Sequence, residues 1–212
     1  MGCPRVFSTV HNTLTHQDER LEFNRLCKEH WETSVGTINF LNFIFDATLG
    51  GHNVLAKVVL RPYGKDVHAH LATATMAPQL YGTSSVEHIA SVVVMELLEG
   101  GWTTLFNYCE NTLHGRKLQA ASKVKLLERL EDILECLSAA GMVHGDFRMA
   151  NIMLKPGEEE KAMLIDFDWA GEAGKVRYPV TRSEGFGYPG EPGGTINAGH
   201  DRQFYETWKD EI

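Results

Sequence analysis

Paired thiols are missing from this chain: Cys3, Cys27, Cys109 and Cys136 are scattered through 212 residues with no CxxC spacing. That argues against a zinc site and against a secreted disulfide scaffold, and it predicts a reducing, intracellular and cytoplasmic setting. Long apolar runs are missing too. The stretch around residues 92–95 is far shorter than a bilayer span, and the N-terminus has no apolar signal core, so no membrane span is expected. Met1-Gly2-Cys3 opens like an acylation signal, but Val6 stands where that pattern needs Ser or Thr. There is no basic run to track a phosphate backbone, and 28 acidic against 20 basic residues leave a formal charge of -8. Nucleic acid is therefore not an expected partner. Glycines are present but not arranged as a phosphate cover, since Gly36 and Gly50-Gly51 form no such loop. Gly185-Phe186-Gly187-Tyr188-Pro189-Gly190 spells GxGxxG, but no strand precedes it and Pro189 bars the turn into a helix, so it reads as a loop.

What remains is ordinary in bulk and specific in detail. With 43% hydrophobic and 23% charged residues, the length suits one domain of two lobes. Residues 1–35 read as a leader with one amphipathic helix, on whose face Phe23, Leu26, Cys27, His30 and Trp31 fall. Residues 38–47 and 54–60 read as a hairpin about Gly50-Gly51, 67–76 as a short helix, and 89–98 as a buried strand. Gly100-Gly101 ends that strand, with a helix expected from Trp102 or Thr103. Residues 122–139 carry Val124, Leu127, Leu130, Ile133, Leu134 and Leu137 at helical spacing, with Ser122 as cap. Two short strands about Pro156-Gly157 and a last helix from Asp201 complete the pattern.

Chemistry concentrates in His144-Gly145-Asp146-Phe147-Arg148-Met149-Ala150-Asn151 and Leu164-Ile165-Asp166-Phe167-Asp168. A lone Asp or Asn in a loop is usually a turn residue, but this ordered set matches what phosphoryl transfer needs. Asp146 suits a base for an attacking hydroxyl. Asn151 and Asp166 offer the hard oxygens magnesium prefers, and Arg148 a positive charge for the transferred group. Lys57 sits in the apolar run Val54-Leu55-Ala56-Lys57-Val58-Val59. A buried ammonium needs a partner, and in a kinase-like site, which this ordered set resembles, that partner is the α and β phosphates of the nucleotide together with an acid on the following helix, Asp66 being the nearest.

The order of lysine strand, helix, hinge, catalytic loop and metal motif from about Ile38 to Asp201 resembles the protein-kinase-like superfamily. HGDFRMANIM and LIDFDWAG are similar to the fungal protein-kinase-like group and, more distantly, to aminoglycoside and choline phosphotransferases. The resemblance implies an α+β, two-lobed protein-kinase-like fold with an abbreviated N-lobe over 36–98 and a truncated C-lobe over 99–212. It implies ATP and Mg2+, adenine against the backbone of Glu96 and Leu98, and Leu55 and Met153 on the two ring faces. The implied reaction is phosphorylation of a hydroxyl, first on protein Ser/Thr, otherwise on a small molecule, with a nucleotide-binding pseudokinase as the competing class. Gly145 replaces the arginine that usually precedes the catalytic aspartate, so Thr181 and Ser183 are poor activation sites. Asp168 replaces a glycine, and Asp201 corresponds to the aspartate that braces the catalytic loop.

Overall fold

Period-2 burial in the first third of the chain builds a sheet rather than a leader helix. The computed structural model describes residues 8–27, 42–86, 90–112 and 117–212, which fall into two units: Met1–Pro62 with Pro78–Leu98, and Tyr63–Ala77 with Glu99–Ile212.

The first unit is a six-stranded antiparallel sheet in the order β1-β2-β3-β4-β6-β5, made of β1 (Thr9–Asn12), β2 (Gln17–Leu26), β3 (Asn42–Leu49), β4 (His52–Val59), β5 (Leu80–Val86) and β6 (Ala90–Glu96). The expected helix through Phe23 and Leu26 is thus a strand. Leu21 is buried, Phe23 is half-buried against Phe45 at 5.0 Å between ring centroids, and the alternate residues Glu22 and Asn24 face out. Phe23, Leu26 and Cys27 satisfy helical spacing as well, and cross-strand packing decides between the two periods. His30 and Trp31 lie outside the described residues. Alternation in β3 and the apolar runs of β4 and β6 give a core of Phe45, Ala47, Val54, Ala56, Val58, Val92 and Val94. The sheet curls until its outer strands meet: Thr13 N–H donates to Tyr81 O at 2.7 Å, and a Cβ on Gly82 would lie 2.3 Å from His11 O. Only glycine fits that approach.

The second unit begins with α1 (Lys65–Thr73) and continues through β7 (Thr103–Thr104), α2 (Leu105–Asn107), α3 (Ala120–Ala139), β8 (Met142–Val143), β9 (Ile152–Leu154), β10 (Met163–Leu164), β11 (Gly171–Glu172) and α4 (His200–Trp208). A strand pair stands where the helix from Trp102 was expected to begin, and the Thr104 hydroxyl then caps α2 by accepting from Asn107 N–H at 3.1 Å. Burial selects Leu126, Leu130, Ile133, Leu134 and Leu137 as the inward stripe of α3, each worth about 1.5–3 kcal/mol against exposure. Val124, expected on that stripe, is 54% exposed. Gln119, not Ser122, is the N-cap residue, and the Ser122 hydroxyl serves the buried carboxylate of Glu159 instead. The stripe packs with Val67 and Leu71 of α1, Leu105, Phe147, Ile152, Leu154, Leu164, Tyr205 and Trp208 into one core beneath the loop that carries the acids. No helix among the described residues is long and apolar enough to cross a membrane.

Candidate active site

Two short strands and one helix terminus fix the loop 144–151. β10 pairs antiparallel with β9, Leu164 opposite Ile152, and Ile165 N–H donates to Asn151 O at 2.9 Å. The ladder therefore brings the backbone of Asn151 beside Ile165, one residue from Asp166. From the other side, the first turn of α4 projects Asp201, whose Oδ2 accepts His144 N–H at 2.6 Å and Oδ1 accepts Gly145 N–H at 2.7 Å. The brace expected of Asp201 is thus formed. Two charge-assisted bonds to consecutive amides fix the loop's register as well as its position. Burial nevertheless pushes the Asp201 carboxyl up to about 6, against the lowering effect of those amides, and the nearby Asp146 adds to the rise.

Gly145 adopts φ +82, and a Cβ there would sit 2.7 Å from Ile196 Cδ1 and 3.2 Å from Trp169 Cβ. The residue expected as an arginine is a glycine because its surroundings are already full. His144 is fully buried. Its Nδ1 accepts from Asp146 N–H at 3.3 Å, which places the ring proton on Nε2, 3.0 Å from Ile165 O. Burial holds its pKa down to about 4, so it is a neutral strut. Its ring meets Phe167 edge-on at 5.2 Å, and Phe167 in turn stacks on His68 of α1 at 4.5 Å. Tyr63 shares a 2.9 Å hydrogen bond with His68 Nδ1. Burial and the charges of Asp168 and Asp166 raise the phenol of Tyr63 well above its usual value. The aromatic stack thus links α1, the Asp166 turn and the loop 144–151 within one unit.

Asp146 is 4% exposed, and its two oxygens do different work. Oδ2 accepts Asn151 Nδ2 at 2.8 Å and lies 3.1 Å from Arg148 Nε, an ion pair without hydrogen-bond alignment. Oδ1 accepts the Tyr188 hydroxyl at 2.8 Å. Burial raises the Asp146 carboxyl to about 6, Arg148 pulls it down, and Asp166 pushes it up. Asn151 Nδ2 also donates to Asp146 O at 2.9 Å, so both amide hydrogens are committed and Oδ1 is left as the atom for a hard cation. Asp166 is the other residue expected to offer an oxygen. Its φ of +69 is uncommon for a non-glycine residue and marks a turn that the surrounding core over-determines. Among the described residues no three His, Cys, Asp or Glu side chains gather about a metal. An amide and a carboxylate that share the ion with substrate phosphates suit magnesium.

The remaining expected residues lie as follows. Lys57 is 5% exposed in the middle of β4, opposite Ile44 and Val93. Leu55 and Leu98 of the same unit are half-buried, as is Glu96, whose N–H donates to Gln79 O at 2.8 Å. Asp66 is exposed in the first turn of α1, a place that favours a carboxylate through the helix dipole without burial. Met153 is half-buried in β9 between Thr104 and Met163. Tyr188 was not legible as a site residue: it lies 42 positions after Asp146, in a loop.

A sequence profile of the lipopolysaccharide kinase (Kdo/WaaP) family matches residues 69–178, just over half of the chain. The match holds Asp146, Arg148, Asn151 and Asp166 but neither Lys57 nor Tyr188. In fold the chain is similar to the Cydia pomonella granulovirus kinase PK-1, at TM-score 0.55 and 16% identity over 77% of this chain and 58% of that one. It is also similar to vaccinia related kinase 3, at TM-score 0.51 and 13% identity over 82% and 54%. The chain thus spans little more than half the length of these structures. No curated protein matches it in sequence. The fold is protein-kinase-like, with a β-rich and a helical unit.

Proposed function

Because the chain belongs to the lipopolysaccharide kinase (Kdo/WaaP) family, we propose that it transfers the terminal phosphoryl group of ATP to a hydroxyl with the help of magnesium. The observation that carries this reading is the divided carboxylate of Asp146. One oxygen is held by Asn151, and the other accepts a hydroxyl, that of Tyr188, in the manner in which it would receive an acceptor's hydroxyl. A base raised to about 6 is still mostly ionised at neutral pH and is basic enough to take that proton as the bond to phosphorus forms. Arg148 beside it balances the charge that gathers there. Asn151 Oδ1 and Asp166 would hold the magnesium, which when bound neutralises the phosphate oxygens. Lys57 is assigned to the α and β phosphates, and Leu55, Glu96, Leu98 and Met153 to the base, by the order of motifs.

Two acceptor classes fit the site. A protein Ser/Thr hydroxyl follows from the motif order, and a sugar or small-molecule hydroxyl is favoured by the family. Phosphate from labelled ATP followed into protein and metabolite pools separates them. Asp146→Asn should lower transfer by orders of magnitude and Asp166→Asn should nearly eliminate it. Nucleotide binding without magnesium-dependent turnover would establish the pseudokinase instead, which the single glycine in residues 28–41 favours.

A further inference from the structure

A phosphotransferase base needs its acceptor hydroxyl within about 2.6–3.2 Å. At Asp146 that place is already taken, because the Tyr188 hydroxyl donates to Oδ1 at 2.8 Å. The carboxylate does not need this bond for its orientation. Asn151 Nδ2 holds Oδ2 and the backbone carbonyl, Arg148 N–H donates to the same carbonyl at 2.9 Å, and Asp146 N–H rests on His144 Nδ1. Tyr188 belongs to neither strand nor helix. It follows a single helical turn, Glu184–Phe186, and Gly187 at φ +62. Its ring is nonetheless aimed at Asp146 by Phe204 at 4.7 Å, Trp169 at 5.4 Å and the guanidinium of Arg182 at 4.7 Å from the ring centroid. The Arg182 guanidinium stacks on Tyr178 as well and donates to Gly190 O, so a short loop packs its own tyrosine into the acceptor side of the base.

Resting on the phosphotransferase reading above, we propose that Tyr188 is an internal stand-in for the acceptor: its hydroxyl fills the proton-accepting side of Asp146, excludes water, and yields only to a hydroxyl that can take over the bond. Tyr188 thereby becomes a specificity-determining residue that separates transfer to an acceptor from hydrolysis of ATP. It lies outside the residues matched by the family.

The test uses the full chain as wild type, Tyr188→Phe and Tyr188→Ala, with magnesium and ATP. ADP release is measured without acceptor, and again with N-acetylthreonine amide or methyl glucoside as probes. Tyr188→Ala should raise acceptor-free hydrolysis about tenfold, an increase that Asp146→Asn in the same chain removes. Tyr188→Phe should lower KM for whichever probe is used while kcat is kept. A fall in kcat in both variants, with KM unchanged and no rise in hydrolysis, would make Tyr188 a support of Asp146 and overturn the proposal. Labelled phosphate on Tyr188 itself would overturn it too, since the tyrosine would then be a substrate. If no form shows turnover that depends on Asp146, the phosphotransferase reading fails separately. The stand-in is then decided by carbodiimide coupling of glycinamide to Asp146: faster labelling in Tyr188→Ala than in wild type supports it, and equal labelling refutes it.

Discussion

Gly145→Ala should destabilise the chain by a sum that can be taken apart. The residue sits at φ +82, where an L side chain costs about 1–2 kcal/mol. The new methyl would lie 2.7 Å from Ile196 Cδ1, and forcing one extra carbon into a filled site costs about 1–3 kcal/mol more. The total is about 2–5 kcal/mol. Ile196→Val deletes Cδ1, the atom struck, and by itself costs about 0.5–1.5 kcal/mol. In the double variant the steric share is relieved while the backbone share stays, so the cycle should be less than additive by about 1–2 kcal/mol. Urea titrations followed by tryptophan fluorescence read this directly, with Trp169 beside the new methyl. With a slope of about 2–3 kcal/mol/M, the single alanine should move the midpoint down by about 1–2 M. An unmoved midpoint, or a cycle additive within about 0.5 kcal/mol, would refute the packing account of why this position is glycine.

Asp201→Asn should cost stability at any pH, because the amide turns an N–H toward one of two backbone donors. Its penalty should grow from pH 7 to pH 4. The wild-type carboxyl at about 6 when folded, above 3.8 when unfolded, takes its proton first in the folded state and gains about 3 kcal/mol on acidification, which an amide cannot gain. An acid-side urea series with a pH-independent penalty would contradict this. Nitrogen NMR should find His144 as the Nε2–H tautomer and neutral down to about pH 4, and titration near 6.5 would mean its ring is not buried as described. Lys57→Met should weaken ATP binding, measured by calorimetry, without unfolding the sheet. Thr181→Ala with Ser183→Ala, both exposed positions, should leave turnover unchanged, and a large loss in a folded double variant would reveal a phosphate reader such as Arg177 or Arg182.

The loop 144–151 stood out in the sequence because the proposed chemistry admits few substitutes for an aspartate, an asparagine five residues on and a second aspartate after the strand pair that follows, and the structure draws the first two together through Asn151 Nδ2 and Asp146 Oδ2. Asp201 was read from the resemblance alone, and its bonds to the amides of His144 and Gly145 are what the structure adds. What escaped reading was settled by distant partners. Leu21 and Phe23 satisfy a strand, yet Phe23, Leu26 and Cys27 satisfy a helix, and only pairing with β3 removes the ambiguity. β5 was hidden by polar residues, Thr83, Ser84 and Ser85, whose pairing with β6 is a tertiary fact. Ser122 looks like a cap until Glu159 claims its hydroxyl. Gly145 read as a missing charge, whereas Ile196, 51 residues later, makes it a requirement of shape. Tyr188 carried no local signal at all.

That requirement of shape changes what can disturb the site. A loop held by a cation waiting for a phosphate answers to phosphatases and to ionic strength. Here the loop is held by a methyl against a glycine and by a carboxylate sealed onto two amides, contacts that salt screens little. None of these contacts involves a charge that a phosphate would have to supply. Mutations that loosen Ile196 or Trp169 would therefore be felt as lost folded copies before they were felt as altered chemistry.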